Sequence, residues 1–117
     1  MIALTPHVRV LVARDPVDFR RGIDGLARVC RDGLGSDPFS GAVFAFRNRP
    51  GTAVKLLVYD GQGFWLCHKR LSTGRFRHWP KGDEAGSRLL AQELQVLLSG
   101  GSPSGARMAS PWREIAK

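Results

Sequence analysis

Between Ala42 and Trp79 one pattern repeats, and it leaves little room for anything but a sheet. Residues 42–46 (AVFAF) form a β-type run, 48–51 (NRPG) a turn, and 52–59 (TAVKLLVY) a second run. Residues 60–63 (DGQG) are another turn, 64–70 (FWLCHKR) a third run, 71–74 (LSTG) a further turn, and 75–79 (RFRHW) a fourth run that stops at Pro80. Runs of strand length joined by turns of about four residues, with no helical stretch between them, predict an antiparallel meander. In the third run the period of two puts Trp65, Cys67 and Lys69 on one face and Phe64, Leu66, His68 and Arg70 on the other.

The flanks read differently. Residues 8–13 (VRVLVA) are a short strand, and 15–18 (DPVD) a turn whose Asp18 is expected to cap a helix by accepting from free backbone N–H groups. That helix is predicted over 19–33, with Ile23, Leu26, Ala27 and Cys30 on one apolar face. Gly22 and Gly25 weaken it by roughly 1 kcal/mol each relative to alanine, and Gly33 and Gly35 suit its end. Residues 81–87 read as polar linker and 88–99 as a second helix, with Leu89, Leu90, Leu94, Leu97 and Leu98 as its stripe. From residue 101 the chain turns to Gly, Ser, Pro and Ala. The expected organisation is one domain over 1–100 and a flexible tail over 101–117, with Trp112 as a docking point. The fold class is α+β: an antiparallel meander sheet of about four or five strands, one helix before it and one after.

Charge is where the sequence speaks to function. The window 44–81 holds eight Lys and Arg against a single acid, Asp60, a net of +7 out of the formal +8 of the whole chain. The excess is local and lies on the expected sheet, and it points to an anionic partner: nucleic acid, an acidic membrane surface or an acidic protein. A hydrophobic fraction of 43% in 117 residues fits a globular domain. No apolar run approaches the ~18–20 residues of a membrane span, and the first residues (MIALTPHVRV) show no secretory pattern. Cys30 and Cys67 lack CxxC spacing and read as free thiols in a reducing cytoplasm.

Catalytic signatures are missing. Several of the ten acids fall at turns and caps, and no convergent trio marks a two-metal site. His7, His68 and His78 have no ligand-like spacing, so no metal, cofactor or catalytic residue is expected. What remains is the basic, aromatic stretch. Nucleic-acid surfaces combine phosphate-seeking cations with rings that stack on bases. Arg49, Lys55, Lys69, Arg70, Arg75 and Arg77 supply the first, and Trp65 and Trp79 the second. Phe76, between two arginines, reads as core. Arg20-Arg21 at the helix start is a secondary candidate, with Asp18 or Asp24 as its ordinary partner.

Several segments carry a family resemblance. FRRGIDGL (19–26) is followed by DPFSG (37–41), VFAFRNR (43–49), VKLLVYDGQGF (54–64), KRL (69–71), GRF (74–76) and WP (79–80). In order and spacing this set resembles the small TnpB, or Orf2-like, accessory proteins of the insertion-sequence-sixty-six group of bacterial transposable elements. They are distinct from the large RNA-guided nucleases that share the label TnpB. The departures are Phe19, where methionine is common, and Tyr59, where tryptophan is. The resemblance implies a non-enzymatic role in transposition beside a larger transposase. DNA at the element ends and that transposase are the implied partners, with no membrane. One version puts the basic sheet surface on DNA. The other makes the chain an assembly module that binds the transposase through Leu94, Leu97 and Leu98 or through the tail. The sequence leaves the oligomeric state open.

Overall fold

In the computed structural model, which describes residues 7–103, five strands form one sheet with a helix on each face. In chain order the elements are β1 (Val10–Ala13), α1 (Ile23–Arg28), β2 (Val43–Arg47), β3 (Ala53–Tyr59), β4 (Phe64–Arg70), β5 (Gly86–Leu89) and α2 (Ala91–Leu98). A π-helical turn, Val29–Gly33, prolongs α1, and Leu34 N–H reaches back to Val29 C=O at 3.0 Å. The strand order is β4-β3-β2-β1-β5. β2, β3 and β4 make the expected meander. β1 runs parallel to β2, with α1 as the crossover a parallel pair requires, and β5 closes the far side antiparallel to β1. The α+β class and the mostly antiparallel sheet are as expected. The parallel pair makes the sheet mixed.

Strand alternation divides the core into two layers. One face carries Val10, Val12, Val43, Ala45 and Val54, packed under Leu94 and Leu97 of α2 and under Phe76 and Trp79. The other carries Phe44, Phe46 and Leu57 under Leu26, Ala27 and Cys30 of α1. Each fully buried leucine or phenylalanine stabilises the fold by about 1.5–3 kcal/mol. The faces of β4 fall as its period of two requires, with Phe64 and Leu66 on the α1 side.

Four local expectations are corrected. Residues 75–79 are not a strand. Phe76 and Trp79 stand three apart and are both buried in the α2 layer, which a strand of period two forbids. Residues 86–89 are not linker or helix but β5, set by pairing: Val10 lies opposite Leu89 and Ala13 opposite Gly86. A Cβ at Gly86 would stand 3.2 Å from Leu11 Cγ, so the strand lies close over that side chain. α2 therefore starts later than expected, and the Glu93 carboxylate accepts from Leu90 N–H at 2.7 Å at its start. Asp18 does not cap α1, whose start is Gly22; it accepts instead from Arg20 N–H at 2.9 Å. The tail beyond residue 103, with Trp112, lies outside the described residues.

The two thiols differ. Cys30 is buried, and burial pushes its thiol up to about 12, whereas Cys67 is half-buried on β4. With Ellman's reagent at mildly alkaline pH and high dilution, Cys67 is expected to react in the native protein and Cys30 only after denaturation. Equal rates for both thiols would contradict this layering.

Candidate nucleic-acid interface

The basic residues gather where β2 ends, β3 begins and β4 ends. The β2–β3 turn is fixed from within. Asn48 Oδ1 accepts from Thr52 N–H at 2.9 Å and Ala53 N–H at 3.1 Å, and Asn48 Nδ2 donates to Thr52 Oγ1 at 2.9 Å. Gly51 takes a φ of +74°, which suits glycine, and closes the turn through its N–H on Asn48 C=O. This presents Arg49 to solvent. The segment after β4 is then sewn onto the same turn. Leu71 N–H donates to Thr52 C=O at 2.9 Å and Phe76 N–H to Gly51 C=O at 2.8 Å.

That segment alternates anchors and cations. Phe76 and Trp79 are 5% and 4% exposed, and the Trp79 indole N–H donates to Ala13 C=O at 2.8 Å across the sheet end. With those two rings inside, Arg75, Arg77 and His78 are left outside. Arg70, the last residue of β4, faces Ala53 at the start of β3 and is exposed. Among the described residues, none of the side chains of Arg49, Arg70, Arg75 and Arg77 makes an ion pair or a hydrogen bond. The backbone that carries these four arginines is therefore held at one end of the sheet by a turn closed on itself and two buried rings, and their guanidinium groups are without partners among the described residues. A guanidinium presents its donors in a planar fork that suits phosphate oxygens. The acids near this end lie toward β1 and β5. Arg14 holds Asp15 at 3.1 Å and donates to Asp83 C=O at 2.7 Å.

The remaining sequence candidates sit elsewhere. Lys55 is a correction: it is 8% exposed, and its Nζ donates to Phe19 C=O at 2.8 Å and Arg21 C=O at 3.1 Å, 5.0 Å from the Phe19 ring centre. It ties the approach to α1 onto β3 and faces no solvent. Trp79 is likewise withdrawn as a stacking ring, because its burial and its bond to Ala13 occupy it. Lys69 is exposed on the α2 side, where its Nζ donates to Leu98 C=O at 2.7 Å. Trp65 is exposed near the opposite end of β4, its indole N–H on Asp60 Oδ2 at 2.8 Å. Five residues of strand, about 17 Å, separate it from Arg70. Arg20 is forked onto Asp18, at 2.7–3.1 Å, and holds the Asp18 carboxyl down to about 2, so the ordinary partner is the one observed. Leu94 and Leu97 are buried against the sheet and are not a free contact surface.

His78, part of the basic, aromatic stretch read from the sequence, is exposed beside Arg77. One feature escaped the sequence reading. An open cleft of about 1090 Å³ lies along β5, between Arg9, Leu11, Leu34 and Arg88. Only the unrecognised strand would have revealed it. Among the described residues no group of three His, Cys, Asp or Glu is placed to hold a metal ion, and no helix is long and apolar enough to cross a membrane.

Replacing Lys55 by methionine separates the two roles assigned to that residue. It is expected to lower stability by about 1.5–3 kcal/mol through loss of two charge-assisted hydrogen bonds. DNA affinity should stay within a factor of about two, because no phosphate contact is removed. Denaturant midpoints and anisotropy titrations check the pair of outcomes.

Three comparisons bear on this arrangement. A family model described as "IS66 Orf2 like protein" matches residues 8–107. Two curated relatives come from Sinorhizobium fredii (strain NBRC 101917 / NGR234). "Uncharacterized protein y4jC" is 35% identical over 100 residues, covering 86% of this chain and 85% of the relative. "Uncharacterized protein y4hO" is 37% identical over 100 residues, covering 86% of each. No solved structure matches the chain.

Proposed function

Because the chain belongs to the IS66 Orf2-like family of insertion-sequence accessory proteins, we propose that it serves transposition by binding duplex DNA through the arginine end of its sheet. One observation carries the proposal: Arg49, Arg70, Arg75 and Arg77 are exposed, lack partners among the described residues and converge on one rigid turn. The backbone that carries the four cations is already in place, and each neutralised phosphate releases counterions. The contacts are to the backbone, so they position the protein and do not by themselves read sequence. Family membership supports a larger transposase as the protein partner, acting on the same DNA in the bacterial cytoplasm. The chain's share of the work is then non-catalytic.

Fluorescence anisotropy on labelled duplexes, one carrying an element end and one scrambled, tests this across a salt series. Four neutralised phosphates give a slope of about −3.6 in log K against log salt, a loss of about two orders of magnitude between 50 and 200 mM. No binding to either duplex at low salt would overturn the proposal. It would leave the assembly-module reading, to be tested by pull-down of the transposase.

A further inference from the structure

Among the described residues β4 offers the longest free strand edge. It lies at one side of the sheet with seven residues, whereas β5, at the other side, has four. Ladder bonds in an antiparallel pair alternate. Asp60 N–H donates to Gly63 C=O at 3.0 Å, and Leu71 N–H to Thr52 C=O at 2.9 Å. These two bonds fix the phase. Trp65, Cys67 and Lys69 bond inward to β3, while Phe64, Leu66, His68 and Arg70 turn their N–H and C=O groups outward. Among the described residues no segment pairs with that edge.

We propose that a second copy of the chain pairs with this edge, antiparallel, about a two-fold axis at Cys67. The two sheets then become one of ten strands. Backbone and side chains select the same register. Centring on Cys67 overlaps the whole of β4 with its copy. It sets Phe64 against the partner's Arg70 and Leu66 against the partner's His68, which are all outward-bonding positions. It also sets Trp65 against the partner's Lys69, and Phe64 and Trp65 thus each meet a cation, an attractive pairing. The cationic half of β4 would ordinarily protect an edge from pairing. Here it discriminates between registers. Moving the axis to His68 stacks that residue on its own copy. Moving it to Lys69 stacks lysine on lysine and sets Arg70 against the partner's His68.

The side chains are already held for this role. Asp60 fixes the Trp65 indole and Leu98 C=O fixes Lys69 Nζ. Among the described residues, Phe39 and Trp65, 53% and 47% exposed, are two of the three large apolar side chains left in solvent, and Phe39 packs 5.1 Å from Phe64, beside the edge. Each copy carries a formal charge of +8, so screening of mutual repulsion favours the dimer as salt rises. DNA binding through arginines has the opposite salt dependence, which makes the two proposals separable.

Sedimentation of the full-length protein, from low to high micromolar concentration, is the test. A monomer–dimer equilibrium that tightens from low to moderate salt is expected. Trp65→Lys should weaken it about tenfold by setting like charges against each other twice, and Trp65→Glu should preserve or tighten it. A non-hydrogen-bonded antiparallel pair places its Cα atoms about 4.5 Å apart, within disulfide reach. Diamide should therefore link the wild-type dimer through Cys67, and Cys67→Ser should abolish the link. A wild-type protein that stays monomeric throughout would overturn the proposal. So would a dimer that ignores Trp65→Lys and yields no link through Cys67.

Discussion

Reversing Arg75 and Arg77 together to glutamate is expected to abolish measurable duplex binding while leaving the fold intact. Both side chains are exposed, and the residues that hold the segment, Phe76 and Trp79, are untouched. The double change removes two of the four phosphate contacts and sets two carboxylates against the DNA. Loss of the two contacts alone lowers the salt slope by about 1.8. Repulsion from the new carboxylates adds to it, and a fall of at least about two orders of magnitude at low salt is the expected result. Circular dichroism and the denaturant midpoint should stay near wild type, since exposed substitutions typically shift stability by no more than about 0.5 kcal/mol. Undiminished binding by the doubly reversed protein would move the interface away from this end of the sheet.

Trp79→Ala is expected to have the largest effect on stability of any single change in the basic segment. It deletes a nearly buried ring from the layer under α2 and leaves Ala13 C=O without its donor. Truncating a buried tryptophan costs about 3–5 kcal/mol, a large part of the ~5–15 kcal/mol available to a domain. Trp79→Phe isolates the hydrogen bond: most of the ring volume stays and the indole N–H goes, for about 1–3 kcal/mol. The alanine variant should also weaken DNA binding, because Arg77 and His78 are positioned by the ring they flank. Urea unfolding followed by anisotropy at a temperature where the variant is folded measures both effects. A loss below about 1 kcal/mol for Trp79→Ala would show that the segment is held mainly by its backbone bonds to the β2–β3 turn.

The meander was legible because each of its parts carries its own signal. Turns marked by NRPG and DGQG separate alternating runs, and β2, β3 and β4 lie where these predict. The basic end was legible in part: Arg49 and Arg70 stand beside marked turns, whereas Arg75 and Arg77 are placed by Phe76 and Trp79, whose partners Gly51 and Ala13 are distant in sequence. What failed was whatever depended on distant pairing. β5 contains Gly86-Ser87-Arg88, with no β-forming residue before Leu89, and is a strand only because β1 lies beside it. Lys55 sits among apolar neighbours in a strand pattern and looks like any surface cation. Two carbonyls from the approach to α1 decide its place, and they are more than thirty residues away in sequence. Trp79 was ambiguous between stacking ring and core because its partner, Ala13, lies at the other end of the chain.

The seat of β1 between β2 and β5 has a kinetic consequence. The hairpins that join β2, β3 and β4 close over short loops and can form as soon as they are made. β1, although synthesised first, acquires its second neighbour only when residues 86–89 have emerged. Loop closure over such a separation is slow relative to hairpin formation. On the ribosome the nascent chain therefore carries a valine-rich strand with one edge unsatisfied until residues 86–89 are made. Chains cut short before residue 86 are expected to aggregate.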